Sequence, residues 1–179
     1  MQPLPDIQSL LNPIRWVLVG GIALRAYMPE RMTLDIDILV HERDAIAVRD
    51  AFLRAGYRVV GQLSIGGFSV QSPLADAMPI DVLARADAWL EDALAHPAAD
   101  PAGYPVLARP YLLLLKLQAG RTQDLADIQR LLAGTTAVER DAIRRLVAAQ
   151  NPEYLEDYDS LVVLSDLEFG APAPPDVAS

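Results

Sequence analysis

Residues 34–40, LDIDILV, alternate apolar and acidic side chains and then become wholly apolar. With the two-residue period of a strand, Leu34, Ile36, Ile38 and Val40 share one face while Asp35 and Asp37 share the other. Two carboxylates placed this way are about 6–7 Å apart at their bases and repel unless something cationic sits between them. Hard divalent ions favour carboxylate oxygens, and Mg²⁺ commonly takes one or two of them together with substrate phosphates. An exposed strand face with two solvated acids is the plainer reading of such a pair in isolation.

The surroundings of this segment give it a frame. WVLV at 16–19 reads as a strand that Gly20 and Gly21 break, and IALRAYM continues as a helix until Pro29 stops it. ERDAIAVRDAFLRA, residues 42–55, has apolar residues at helical spacing and ends at Gly56. YRVVG, GFSVQ and PIDVLA are three short strands divided by Gly, Ser and Pro turns. Asp81, in the last of these, places a third acid inside an apolar strand, where an unpaired buried charge is costly. Three strand-borne acids are enough to hold two metal ions that clamp the attacking and leaving oxygens of a phosphoryl displacement.

After Arg85 the pattern becomes helical: DAWLEDALAH, PYLLLLKLQAG with Pro110 near the start, DLADIQRLLAG, VERDAIRRLVAAQ and NPEYLEDYDSLVVLSDLE. The expected architecture is α+β: a small mixed β-sheet flanked by helices over residues 1–85, then a helical half over 86–169. Residues 170–179, GAPAPPDVAS, read as a disordered tail.

Composition narrows the function. The chain has 179 residues and a formal charge of -9, which disfavours a general nucleic-acid coat. It has no cysteine, so thiolate metal sites and thiol nucleophiles are excluded. No apolar run is long enough to cross a bilayer and no secretory signal opens the chain, so the expected location is cytoplasmic. Fourteen of the fifteen basic residues are arginine, and Lys116 is the single lysine. That makes Lys116 a candidate for a role the wide planar fork of arginine cannot fill. Gly20 and Gly21, between a strand and a helix, suit close approach of a phosphate to backbone N–H groups.

Gly20, Gly21, Arg31, Thr33, Asp35, Asp37 and Asp81 together resemble the nucleotidyltransferase superfamily that shares its fold with DNA polymerase beta. In the helical half, KLQAGRTQDLADI resembles the Lys, Arg, Asp, Asp motif of the AbiEii abortive-infection branch, here Lys116, Arg121, Asp124 and Asp127. The resemblance implies that Asp35 and Asp37 hold Mg²⁺ or Mn²⁺ and the nucleoside triphosphate. Asp81 would complete the metal site or activate the acceptor hydroxyl. Lys116 and Arg121 would face the phosphates, Arg31 and Thr33 would add contacts, and Asp124 and Asp127 would orient Lys116 or Arg121. Gly21 stands where the superfamily often has Ser, which suits the AbiEii-like branch. The implied acceptor is a transfer-RNA 3′ end, a protein hydroxyl or a small molecule, and the family context implies a toxin–antitoxin component with a cognate antitoxin.

Rival DxD enzymes fit less well. Haloacid dehalogenase phosphatases want Thr or Val where Leu39 stands, and nucleotide-sugar glycosyltransferases need a larger preceding domain than residues 1–33 supply. A catalytically silent nucleotidyltransferase-fold binding protein is the alternative of another class. Arg140, Arg144 and Arg145 form an expected basic patch on one helix, suited to RNA phosphates or to plain solvation.

Overall fold

The acidic strand is the middle of a seven-stranded sheet. In the computed structural model, which describes residues 4–29, 32–74 and 76–172, the chain divides into two compact units, Met1–Leu107 and Ala108–Ser179. The first unit runs α1 (Ile7–Leu11), β1 (Trp16–Leu18), α2 (Gly20–Ala23) with a 3₁₀ turn at Leu24–Ala26, and β2 (Ile36–His41). A 3₁₀ turn at Glu42–Asp44 leads into α3 (Ala45–Arg54). β3 (Arg58–Gln62), β4 (Gly67–Gln71), β5 (Ile80–Arg85), α4 (Leu90–Ala95), β6 (Ala98–Ala99) and β7 (Pro105–Val106) complete it.

Strand order is β3-β4-β5-β2-β1-β7-β6. β2 pairs parallel with β5 and antiparallel with β1, and β4 pairs antiparallel with β5. β2 and β5 show the same burial pattern, in which the second residue is half-buried and the rest, up to the last, are buried. Ile36, Ile38, Leu39, Val40, Ile80 and Val82 are essentially inaccessible. Each stabilises the sheet by roughly 1.5–3 kcal/mol through removal of apolar surface from water. The half-buried second positions are Asp37 and Asp81, so the central strands open to solvent at their N-terminal ends.

The second unit holds α5 (Arg109–Ala119), α6 (Thr122–Ala133), α7 (Ala137–Gln150), a 3₁₀ turn at Pro152–Tyr154 and α8 (Leu155–Phe169). Pro110 lies in the first turn of α5, where its missing N–H costs nothing, and Gly120 closes the helix in the left-handed conformation. Thr136 and Glu139 cap α7 reciprocally. Tyr158 in α8 donates its hydroxyl to the Arg140 carbonyl at 2.9 Å, and Ser165 donates to the Gln129 carbonyl at 2.9 Å.

The α+β reading holds, and the longer helices and the strands of the acidic segment lie where the periodicity puts them, while α1, β6 and β7 have no counterpart in that reading. Three details differ. The division falls after Leu107 and not near residue 85, because α4, β6 and β7 stay with the sheet, where β7 pairs with β1. Leu34 and Asp35 precede the acidic strand, and Leu34 is 79% exposed instead of facing the core. The stretch after Gly21 forms one helical turn and a 3₁₀ turn, not a helix running to Pro29. Of the expected tail, residues 173–179 lie outside the described residues.

Candidate functional site

The register of three neighbouring strands builds the site. Asp37 on β2 is the direct partner of Asp81 on the parallel strand β5, and Ser69 on β4 is the direct partner of Asp81 from the other side. Directly paired residues project from the same face of a sheet, so Ser69, Asp81 and Asp37 form a row across three strands roughly 4.8 Å apart. Phe68 and Val70, to either side of Ser69, point into the core, which fixes Ser69 on the row's face. Asp35, two residues before Asp37, joins from the approach to β2. Carboxylate oxygens of Asp35, Asp37 and Asp81 lie within 4.8 Å of one another, and all three residues are half-buried.

Glycine bounds the row on its far side. The Val19 N–H donates to the Asp37 carbonyl at 3.0 Å, which brings the next residue, Gly20, against the Asp37 side chain. Gly20 has φ +63°, and a Cβ there would lie 1.8 Å from Asp37 Oδ2. Only glycine fits both the left-handed backbone and the space. Gly21 is buried in the first turn of α2.

Two hydroxyls hold carboxylates of the cluster. Thr33 Oγ1 donates to Asp35 Oδ1 at 2.9 Å, and Ser69 Oγ donates to Asp81 Oδ1 at 2.6 Å. The Thr33 hydroxyl, expected to meet phosphate, therefore already has a partner within the cluster. Arg31, expected beside it, lies outside the described residues. Ser69 was not identifiable as a site residue from the sequence. Its alternation with Phe68 and Val70 sets its face, but the register across residues 72–79 is not readable from spacing.

The second unit holds the other expected group. Lys116 Nζ donates to Asp124 Oδ1 at 3.0 Å and to Asp127 Oδ2 at 2.8 Å, and all three residues are buried. Gln123 donates to Asp127 Oδ1 at 3.2 Å. Arg121 Nε reaches Asp124 Oδ2 at 2.5 Å from a side chain that is mostly exposed. Burial pushes the Asp124 carboxyl up, but hydrogen bonds from Arg121 and Lys116, with their charges, outweigh it and hold the group below the usual carboxylate range. The structure thus brings Lys116, Arg121, Asp124 and Asp127 together, with the ammonium between two carboxylates.

The expected basic patch on α7 does not form. Arg140 is buried, donating to Thr135 Oγ1, to the Leu132 carbonyl and to Asp166. Arg144 makes two hydrogen bonds to Asp159, leaving Arg145 exposed beside it. Folding turns two of the three arginines onto acids and carbonyls of their own unit.

No helix among the described residues is long and apolar enough to cross a membrane. Residues 11–176 match the family described as the nucleotidyl transferase AbiEii toxin of a type IV toxin–antitoxin system. The fold is similar to that of the antibiotic-resistance factor ANT(2'')-Ia in its solution structure, with 14% identity, a TM-score of 0.58 and coverage of 86% of this chain and 94% of that one. It is equally similar to the crystal structure of ANT(2'')-Ia in complex with adenylyl-2''-tobramycin, with 17% identity, a TM-score of 0.59 and coverage of 83% and 95%. At these identities the likeness is one of fold. No curated protein matches the sequence.

Proposed function

We propose, from the premise that this chain belongs to the AbiEii nucleotidyltransferase family, that it moves a nucleoside monophosphate from a nucleoside triphosphate to an acceptor hydroxyl at Asp35, Asp37 and Asp81. The observation that carries this is the meeting of those three carboxylates within 4.8 Å at the open end of the central strands. Their donor set is all oxygen, which fits Mg²⁺ or Mn²⁺ and suits neither soft nor nitrogen-preferring metals. When bound there, such an ion supplies positive charge to the transferring phosphoryl group and the departing pyrophosphate.

The chain's own residues do the remaining work. Asp35 and Asp37 hold the ion, and Asp81 either completes that set or takes the proton from the acceptor hydroxyl. The acceptor oxygen then bonds to the α-phosphorus as the bond to pyrophosphate breaks. Gly20, lacking a side chain, leaves the Asp37 carboxylate the space it needs beside the turn. A catalytically silent binding role is the weaker reading, because the three acids, the hydroxyls on two of them and the glycine beside the third are all in place.

Two observations favour different acceptors. The likeness in fold and length to ANT(2'')-Ia, whose crystal structure contains adenylyl-2''-tobramycin, supports a small hydroxyl-bearing molecule. The family's toxin description supports a macromolecular acceptor, RNA or protein, with an antitoxin partner. Incubation with each α-labelled nucleoside triphosphate, Mg²⁺ or Mn²⁺ and a fractionated cell extract tests the reading. Metal-dependent label in one fraction, absent with Asp37→Asn, is the expected result and identifies the acceptor class. No transfer from any nucleotide to any fraction would overturn nucleotidyl transfer.

A further inference from the structure

We propose that Ser69 is a positioning residue for the acidic cluster: its hydroxyl fixes the Asp81 carboxylate in the orientation that lets it join Asp35 and Asp37 around one ion. The inference rests on the proposed metal site but concerns a residue that site does not itself contain.

Asp37 and Asp81 are direct register partners on adjacent strands, so like charges meet at the spacing of neighbouring strands. Like charges directly opposite one another are unfavourable on a sheet. In the absence of an ion, nothing in that pairing keeps the Asp81 side chain turned toward its neighbours. Ser69 is the other register partner of Asp81, half-buried on the same face, and it donates to Asp81 Oδ1 at 2.6 Å, a distance typical of a hydroxyl on an ionised carboxylate.

A serine suits this place because its hydroxyl is short, carries one donor and brings no charge. A cationic side chain there would neutralise Asp81 and compete with the ion. An alanine would leave the carboxylate free to rotate. Ser69 takes up one oxygen and leaves the other carboxylate sites of Asp81 available. Thr33 makes the corresponding bond to Asp35 Oδ1. That bond is local, spanning two residues of one loop, whereas the Ser69 bond ties the site to a separate strand.

The experiment measures Mn²⁺ binding by titration calorimetry on the nucleotide-free protein, alongside melting temperature, for wild type, Ser69→Ala, Ser69→Thr and Asp37→Asn. Loss of one charge-assisted hydrogen bond predicts Mn²⁺ binding about tenfold weaker in Ser69→Ala. Ser69→Thr, which keeps the hydroxyl, restores it, and all variants melt close to wild type. Turnover should divide in the same way, with Ser69→Ala needing more metal for half-maximal rate. Wild-type Mn²⁺ affinity in Ser69→Ala, with affinity lost in Asp37→Asn, would overturn the role of Ser69 and leave the metal site standing. Weakened binding in Ser69→Ala that Ser69→Thr fails to restore, accompanied by a clear drop in melting temperature, would reduce Ser69 to a packing role. Failure of wild type to bind Mn²⁺ would overturn the metal site and this inference with it.

Discussion

Two clusters of aspartates, one in each unit, resolve the same electrostatic problem in opposite ways. In the second unit Asp124 and Asp127 are buried and meet Lys116 and Arg121, so two negative charges face two positive ones from the same chain. In the first unit, Asp35, Asp37 and Asp81 crowd together half-buried, and the donors on Asp35 and Asp81 described above are neutral hydroxyls. A hydroxyl orients a carboxylate without cancelling its charge. One cluster therefore meets cations of its own unit, and in the other the donors on Asp35 and Asp81 orient their carboxylates and leave the charge in place. The contrast also explains the solitary lysine. A compact ammonium fits between two carboxylates in a buried space, where the broad fork of arginine needs a wider planar site.

The contrast breaks most visibly at its charged centre. Asp37→Asn should reduce nucleotidyl transfer on the order of 10³-fold, since in the proposed mechanism several kcal/mol of phosphoryl charge stabilisation depends on an ion that Asp37 would help hold. Steady-state assay with circular dichroism as a fold control checks this, and near-normal turnover would remove Asp37 from the site. Lys116→Met should act on stability: two buried carboxylates would lose their cation at a cost of ~3–5 kcal/mol. Urea denaturation reads that loss directly, and an unchanged midpoint would mean that the ammonium contributes nothing to the second unit.

Gly20→Ala tests the boundary of the first cluster. A left-handed alanine costs roughly 1–2 kcal/mol, and its Cβ, built 1.8 Å from Asp37 Oδ2, forces that side chain to move. Metal-dependent nucleotide binding should fall severely while the melting temperature drops by only a few degrees; retained binding would show that Asp37 has room to adjust.

The smallest effect separates the clusters by pH. Asp124 titrates below its usual range in the folded chain, so it binds its proton less readily folded than unfolded. Its stabilising contribution is fully present above the unfolded-state value, near pH 4, and is lost as pH falls through the lowered folded value. Urea midpoints should therefore decline on acidification below about pH 4, and Asp124→Asn should flatten that decline. An equal decline in the variant would assign it to other carboxylates.

How far the sequence anticipates these arrangements depends on the range of the interaction. The same-face aspartates, the glycine turn after the first strand and the helix bounded by Pro110 and Gly120 are encoded within a few residues, and all are present in the fold. Lys116 with Asp124 and Asp127 is visible as a motif, but which charge faces which emerges only when α5 and α6 pack. Ser69 opposite Asp81 depends on strand register across an irregular loop. β7, two residues long, joins beside β1 only because the chain returns there after α4. Leu34 shows the reverse failure: alternation continues into LDIDILV from a residue that the strand does not include.

The register that pairs Asp37 with Asp81 also bears on the order in which the protein acquires its chemistry. Synthesis supplies β1 and β2 first, yet β2 pairs with β5 only after α3, β3 and β4 have followed it in the chain. Parallel pairing between distant segments is slow, because the loop has to close before its contacts repay the lost entropy. A nascent chain that has passed Asp35 and Asp37 but not Asp81 thus carries the motif without the centre. On the proposed site, competence to bind metal arises only when β2 pairs with β5 across the 44 positions that separate Asp37 from Asp81, so its appearance during refolding times that step and serves as a natural clock for the assembly of the sheet's centre.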